Sequence, residues 1–350
     1  MYLKTRVLGI EESNPRTPEL LEAARCIRSG GLVVFPTETV YGLGGNALSP
    51  DAVGRIFAVK RRPADNPVIV HVSDREMVRR VAAEIPNVAH ELMDRFWPGP
   101  LSLVMRKGDD VPDVVTAGLD SVSVRMPSHR VALALISEAG VPVAAPSANI
   151  SGRASITCAA EAVKELSGSV DFIIDSGRTS IGLESTVLDV RKPLPEILRP
   201  GGVTLEQLRR AIGEVLVHPA VVNRNYVSAT GMPSPGMKYT HYAPQHASLI
   251  LVEHAPDTAA AIRRLVARYR SEGRKVGVMV TDECDAAGDI TLRIGSIRDP
   301  ARIASRLYAT IRELDDSGAD IIIAEGVPET GMGLAIMNRL RRAASSTEPA

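Results

Sequence analysis

The chain has 350 residues, 45% hydrophobic and only 3% aromatic, with 41 basic and 41 acidic side chains. The length suggests two domains, and the apolar content excludes wholesale disorder. With zero net charge, no overall charge drives the chain onto nucleic acid or a membrane; three well-separated cysteines, Cys26, Cys158 and Cys284, exclude a disulfide framework or CxxC metal cradle and fit a reducing cytoplasm.

In chain order, residues 18–29 (PELLEAARCIRS) predict a helix, opened by Pro18 and ended by Gly30 and Gly31. Residues 32–35 (LVVF) predict a buried strand, followed by a polar turn, PTET. Residues 50–60 predict a second helix, opened by Ser49, Pro50 and Asp51. Strands are expected at 68–72, 101–105, 121–126, 141–145, 172–175, 185–190 and 196–199. Pro193 and Pro195 between the last two suggest an antiparallel excursion, so the expected fold is α/β with a twisted mixed sheet. A further helix is expected near 159–167. Residues 216–247 show no period and carry Gly231, Pro233, Pro235, Gly236 and Pro244, so they read as a linker. Beyond them, strands at 248–252, 275–280, 290–294 and 320–325 alternate with helices at 257–270, 299–315 and 333–344. The expected organisation is a first domain over 1–215, a linker over 216–247 and a smaller Rossmann-like domain over 248–350. No GxGxxG is present, so a dinucleotide is not implied. No run reaches 18 apolar residues and none follows Met1, so neither a transmembrane helix nor a secretory leader is expected.

No P-loop, HExxH or GxSxG occurs. The seven histidines (71, 90, 129, 218, 241, 246 and 254) show no metal-ligand spacing on a helix, so no metal site built from protein side chains alone is expected. The polar information sits at strand ends. PTETVYGLGG (36–45) offers two Thr, a Glu and a Tyr, followed by three glycines read as a turn. In VKRRPADNPVIVH (59–71), Lys60, Arg61 and Arg62 form a cationic rim or a solvated helix end, Pro63 and Pro67 stiffen the chain and aim Asn66 outward, and His71 lies in the next strand. In SVSVRMP, Ser121, Ser123 and Arg125 are spaced by two and share one strand face. A buried Arg125 needs a partner, either a ligand carboxylate or an internal acid. PSANISGRASIT (146–157) brings Ser147, Asn149, Ser151, Ser155 and Thr157 after a strand, where backbone N–H groups can meet a phosphate. GLESTVLD and LRPG add Ser185, Thr186 and Arg199. Hydroxyl, amide and guanidinium groups without a nucleophile–base pair describe a binding and positioning site. Such a site suits phosphoryl or nucleotidyl transfer, in which the substrates supply the reactive groups.

Together these segments resemble the threonylcarbamoyl-AMP synthase family, the YrdC-like proteins, in its long two-domain form. The resemblance rests on FPTETVYGLG, KRRPADNPVIVHV, FWPGPLSLV, VSVRMP, APSANISG, LESTVLD, ILRPGG, SPGMKYTHYAP and EGVPETGMGLAIMNRLRRAAS, in order along nearly the whole chain. One departure is Ile156, where the family commonly has proline. The resemblance implies a nucleotidyltransferase that makes L-threonylcarbamoyladenylate from L-threonine, bicarbonate or CO2, and ATP, releasing pyrophosphate. Its product feeds the cytoplasmic machinery that transfers threonylcarbamoyl to tRNA adenosine. Threonine is then expected against Thr39, His71, Arg125, Ala145 and Ser185. The nucleotide is expected against Arg62, Asn66, Ser121, Ser147, Ser155 and Arg199, with Lys60 nearby and Mg2+ arriving on ATP. A linker tyrosine, Tyr242 or else Tyr239, is expected to close over the nucleotide, with the linker as a water-excluding lid.

A non-enzymatic RNA-binding module is the rival reading. Near-zero charge in each half (25 basic and 26 acidic side chains over 1–215, 16 and 15 beyond) argues against strong direct nucleic-acid binding. The scarcity of aromatics argues against base stacking. The carbamoyl transferases of hydrogenase maturation carry a similar domain but need Cys-rich zinc modules.

Overall fold

A computed structural model describes residues 4–222 and 242–350. The chain divides into two compact units. The first comprises the residues up to Ser151, Ile156–Ser180 and, among the described residues, those from Glu184 to Val222; the second comprises Gly152–Ser155, Ile181–Leu183 and the chain from Tyr242 to Ala350.

The strands of the first unit are β1 (Arg6–Gly9), β2 (Val33–Phe35), β3 (Gly42–Asn46), β4 (Ile69–His71), β5 (Leu101–Arg106), β6 (Ser121–Arg125), β7 (Val143–Ala144), β8 (Phe172–Asp175), β9 (Thr186–Asp189), β10 (Glu196–Arg199) and β11 (Leu216–Val217). They form one mixed sheet in the order β1-β8-β2-β3-β7-β4-β6-β5-β9-β10-β11. The β9–β10 pair is antiparallel, as Pro193 and Pro195 between the two strands suggested. β11 lies past residue 215 and pairs in parallel with β10, so the first unit runs beyond that point.

Helices form where caps and apolar spacing agree. In α1 (Pro18–Arg28) the Thr17 hydroxyl accepts from Leu20 N, and Leu20, Ala23, Ala24 and Ile27 turn one face into the core. α2 (Pro50–Lys60) is capped by Ser49 and ends on Arg61, which takes the left-handed conformation with φ 50°. Also present are α3 (Arg75–Val78), α4 (Asn87–Phe96), α5 (Asp113–Thr116), α6 (Arg130–Ala139), α7 (Ala159–Leu166), α8 (Leu205–Ile212) and α9 (Pro219–Val222).

The glycines expected to form a turn after PTET instead make β3, antiparallel to β2. The reason is space. A Cβ on Gly44 would lie 2.7 Å from the Phe35 ring and 2.9 Å from Val143 Cγ1, so only glycine lets these strands and side chains pack.

The second unit holds β12 (Ser248–Val252), α10 (Thr258–Ser271), β13 (Val276–Val280), β14 (Ile290–Arg293), α11 (Pro300–Asp316), β15 (Ile321–Glu325), α12 (Gly333–Ala343) and β16 (Ser346–Glu348). Its all-parallel sheet runs β14-β13-β15-β12-β16. β16 was not legible from the sequence, since SerThrGlu has no apolar pattern. Among the described residues no helix is long and apolar enough to cross a membrane.

Candidate active site

β4 and β6 run parallel with His71 opposite Arg125, which puts the imidazole and the guanidinium on adjoining strands at the same level. Arg125 is buried. Its Nη1 donates to Thr39 Oγ1 at 2.9 Å and its Nε to the Gly99 carbonyl at 3.2 Å. The partner it needs is an internal acid: Glu38 Oε1 lies 2.6 Å from Arg125 Nη2, with the two side chains 8% and 4% exposed. This contact is close in distance but out of hydrogen-bond alignment, and neither Glu38 carboxylate oxygen accepts a hydrogen bond. Thr39 is held in turn by Thr37, whose hydroxyl lies 2.9 Å from its own and donates to Val40 O.

His71 packs edge-on to Phe35. Burial, and then the Arg125 charge, push its pKa down to about 3, so the ring is neutral at ordinary pH. Its Nδ1 is buried without a hydrogen-bond partner. Ala145 continues the chain past β7, and its N–H donates to Ile69 O at 2.9 Å, tying it to β4.

Ser185 and Arg199 form a second cluster. Arg199 Nη2 donates to the Ser185 carbonyl at 3.0 Å and lies 3.2 Å from its hydroxyl, while Ser185 Oγ shares a 2.8 Å hydrogen bond with Ser102 Oγ. The cluster depends on Gly201. A Cβ there would fall 2.3 Å from Glu184 O and 2.4 Å from Ser185 C, so the RPGG turn can lie against this backbone only without a side chain.

Lys60 is not part of an exposed rim. It is 1% exposed, and burial holds its pKa well below the usual lysine value. The chain satisfies it instead: Nζ donates to the Ser147 carbonyl at 2.5 Å and to the Asn149 carbonyl, while its own carbonyl accepts from Ser151 N at 2.9 Å. Lys60 therefore shapes the 147–151 loop from inside. Asn66, expected to point outward, is 5% exposed. Arg62 reaches back over it, donating to Asn66 O at 2.9 Å and Pro67 O at 2.6 Å, which draws the ADNP turn inward. Ser121 and Ser123 are buried on the Arg125 face of β6.

Ser155 and Tyr242 group with the second unit. Tyr242, at φ 68° and 6% exposed, stacks on Tyr308 with ring centroids 5.2 Å apart, and Arg339 lies over its ring at 5.5 Å. Its ring thus faces protein partners, because an aromatic face gains more from a packed ring and a guanidinium than from open solvent. Tyr239 lies outside the described residues. Ile156, in place of the family's proline, buries its side chain and accepts Tyr41 N–H at 2.9 Å.

Thr39, His71 and Arg125 are therefore brought together with Glu38. Sequence reasoning recorded Glu38 without pairing it and missed Ser102, whose signal was a lone hydroxyl inside the apolar run LSLVM. Among the described residues no three His, Cys, Asp or Glu side chains gather into a metal-binding group.

Comparison with known proteins bears on this arrangement. A family model for Sua5, YciO and YrdC, described as "Telomere recombination", matches residues 25–201, and one described as "Threonylcarbamoyl-AMP synthase, C-terminal domain" matches residues 203–345. A threonylcarbamoyl-AMP synthase of Pyrococcus abyssi is 50% identical over 322 residues, covering 92% of each chain. One of Bacillus subtilis is 44% identical over 337 residues, covering 95% of each. The solved structure of P. abyssi Sua5 complexed with L-threonine matches with TM-score 0.92 at 46% identity, covering 99% of this chain and all of that one. The chain belongs to the Sua5/YciO/YrdC family, in the form that carries the threonylcarbamoyl-AMP synthase C-terminal domain.

Proposed function

We propose that this chain is an L-threonylcarbamoyladenylate synthase, joining L-threonine, bicarbonate or CO2, and ATP with release of pyrophosphate. The observation that carries the reading is the buried Arg125, with Thr39 on its Nη1 and neutral His71 beside it, in a chain akin to a protein solved with L-threonine. A guanidinium can receive the amino acid's carboxylate by paired charge-assisted hydrogen bonds. Thr39, Ala145 and Ser185 complete the threonine subsite of this proposal. Arg62, Asn66, Ser121, Ser147, Ser155 and Arg199 are its nucleotide contacts, with Lys60 acting through the loop it holds.

The chemistry follows from positioning. The threonine amine adds to CO2 to give a carbamate, and a carbamate oxygen attacks the α-phosphorus of ATP in line with departing pyrophosphate. ATP enters as its magnesium complex, and Arg62 and Arg199 offset charge on the phosphoryl oxygens. The linker after α9, whose residues 223–241 lie outside the described ones, belongs to the same proposal as a cover that keeps water from a labile carbamate and adenylate; residues 216–222, expected in that linker, instead form β11 and α9 of the first unit. The product would pass to the cytoplasmic transferase machinery that modifies tRNA adenosine.

Incubation with ATP, labelled bicarbonate and each amino acid in turn, followed by mass analysis, tests the reading. A labelled carbamoyl adenylate should form with threonine alone. Pyrophosphate release that proceeds equally well without an amino acid would overturn it.

A further inference from the structure

We propose that Glu38 is the ammonium partner of the amino-acid substrate and the first acceptor of its proton. The inference rests on the threonine reading above and deepens it. A zwitterion held beside a guanidinium needs an anion at its other end, because a buried ammonium without a partner is costly. Glu38 meets that need. Its carboxylate lies 2.6 Å from Arg125 Nη2, is buried, and accepts no hydrogen bond at either oxygen. Arg125 and Glu38 thus present adjoining opposite charges, matched to a carboxylate and an ammonium on one carbon. The main chain fixes the acid from behind, since Ser180 Oγ donates to the Glu38 carbonyl at 3.3 Å.

Among the described residues, few charged and titratable groups surround Glu38. Arg125 faces it from β6. His129, at the start of α6, feels its charge and lies 3.8 Å from Glu12 on the far side. His71 on β4 reaches the pair through Arg125. Burial is the largest cause that holds both imidazoles below their ordinary pKa, so neither adds a positive charge beside the carboxylate at ordinary pH.

The step balances. The ammonium N–H breaks, its proton passes to a Glu38 oxygen, and the nitrogen keeps the electron pair. That pair forms the N–C bond to CO2 while a C=O pair moves onto oxygen. The nitrogen then loses a second proton to water, leaving the carbamate anion.

Calorimetry with threonine and with 3-hydroxybutanoate, which lacks the ammonium, tests the assignment on the full chain. In Glu38→Gln, threonine affinity should fall about ten- to a hundredfold while 3-hydroxybutanoate affinity holds or rises. In Glu38→Asp, which withdraws the charge by one methylene, threonine should again lose more than 3-hydroxybutanoate; this variant carries the comparison should Glu38→Gln not fold. Equal losses for both ligands, or no loss for either, would assign Glu38 a structural role only and overturn the proposal. The rate adds a second readout. The kcat of Glu38→Gln should climb with pH where the wild type levels off, since the amine must then give its proton to solvent; a profile of unchanged shape overturns the proton transfer. Wild-type protein that fails to bind threonine, or binds it without forming the adenylate, would refute the parent reading instead.

Discussion

His71 and Arg125 are register partners across the parallel β4–β6 pair, and burial together with the neighbouring guanidinium drives the imidazole pKa down to about 3. The unfolded chain takes up this proton near the ordinary value of about 6.5, whereas the folded chain refuses it until about 3. Between those values the unfolded state binds more protons, so stability rises with pH. The contribution is full above about 6.5 and is lost as pH falls toward 3. His71→Asn should remove a slope of up to ~1.4 kcal/mol per pH unit from urea unfolding measured between about pH 4 and pH 7. An unchanged slope would mean the ring protonates freely in the fold.

Arg125→Ala should weaken threonine far more than ATP. Charge-assisted hydrogen bonds of this kind are worth roughly 1.5–3 kcal/mol, so about a ten- to hundredfold loss of threonine affinity is expected in calorimetric titration. The same change strands Glu38 as a buried, uncompensated carboxylate, so the midpoint of thermal unfolding should fall as well. Unchanged threonine affinity in the folded variant would remove Arg125 from the subsite.

Lys60→Met should act on the nucleotide through the loop. Losing Nζ leaves the Ser147 and Asn149 carbonyls without this buried donor, at a cost of about 1–3 kcal/mol for each group left unsatisfied. Amide hydrogen exchange over residues 147–151 should accelerate and ATP affinity should fall, with threonine affinity less affected. A loop that exchanges at the wild-type rate would contradict this role. Arg62→Ala should weaken ATP without speeding exchange over 147–151.

Tyr242→Ala should cost ~3 kcal/mol, because the ring is stacked on Tyr308 and covered by Arg339. Thermal unfolding and ATP titration of this variant separate the two roles. Lost stability with little change in ATP affinity is the expected result, and the opposite pattern would return Tyr242 to the nucleotide.

Much of this protein was legible before any fold was known, because the relevant rules are local. The period-two spacing of Ser121, Ser123 and Arg125 placed them on one face, and Pro18 and Ser49 opened their helices where expected. The alternation of strand and helix signals along the chain sufficed for the α/β class. What needed the tertiary structure was every relationship between distant segments. Whether Arg125 meets an internal acid or waits for a ligand depends on which loop the sheet order brings beside β6. Arg125 and Thr39 are 86 positions apart, and nothing in either segment names the other. The same holds for Lys60, which read as part of a cationic rim or as a solvated helix end, whereas the fold closes the Ser147 and Asn149 carbonyls over it. The glycines of β3 read as a turn because their need is steric: Phe35 and Val143 press on Gly44, and Leu32 and Ile56 on Gly45, from other segments. Backbone periodicity is written in neighbouring residues, whereas the partner of a buried charge and the room beside a glycine are decided only when the sheet closes.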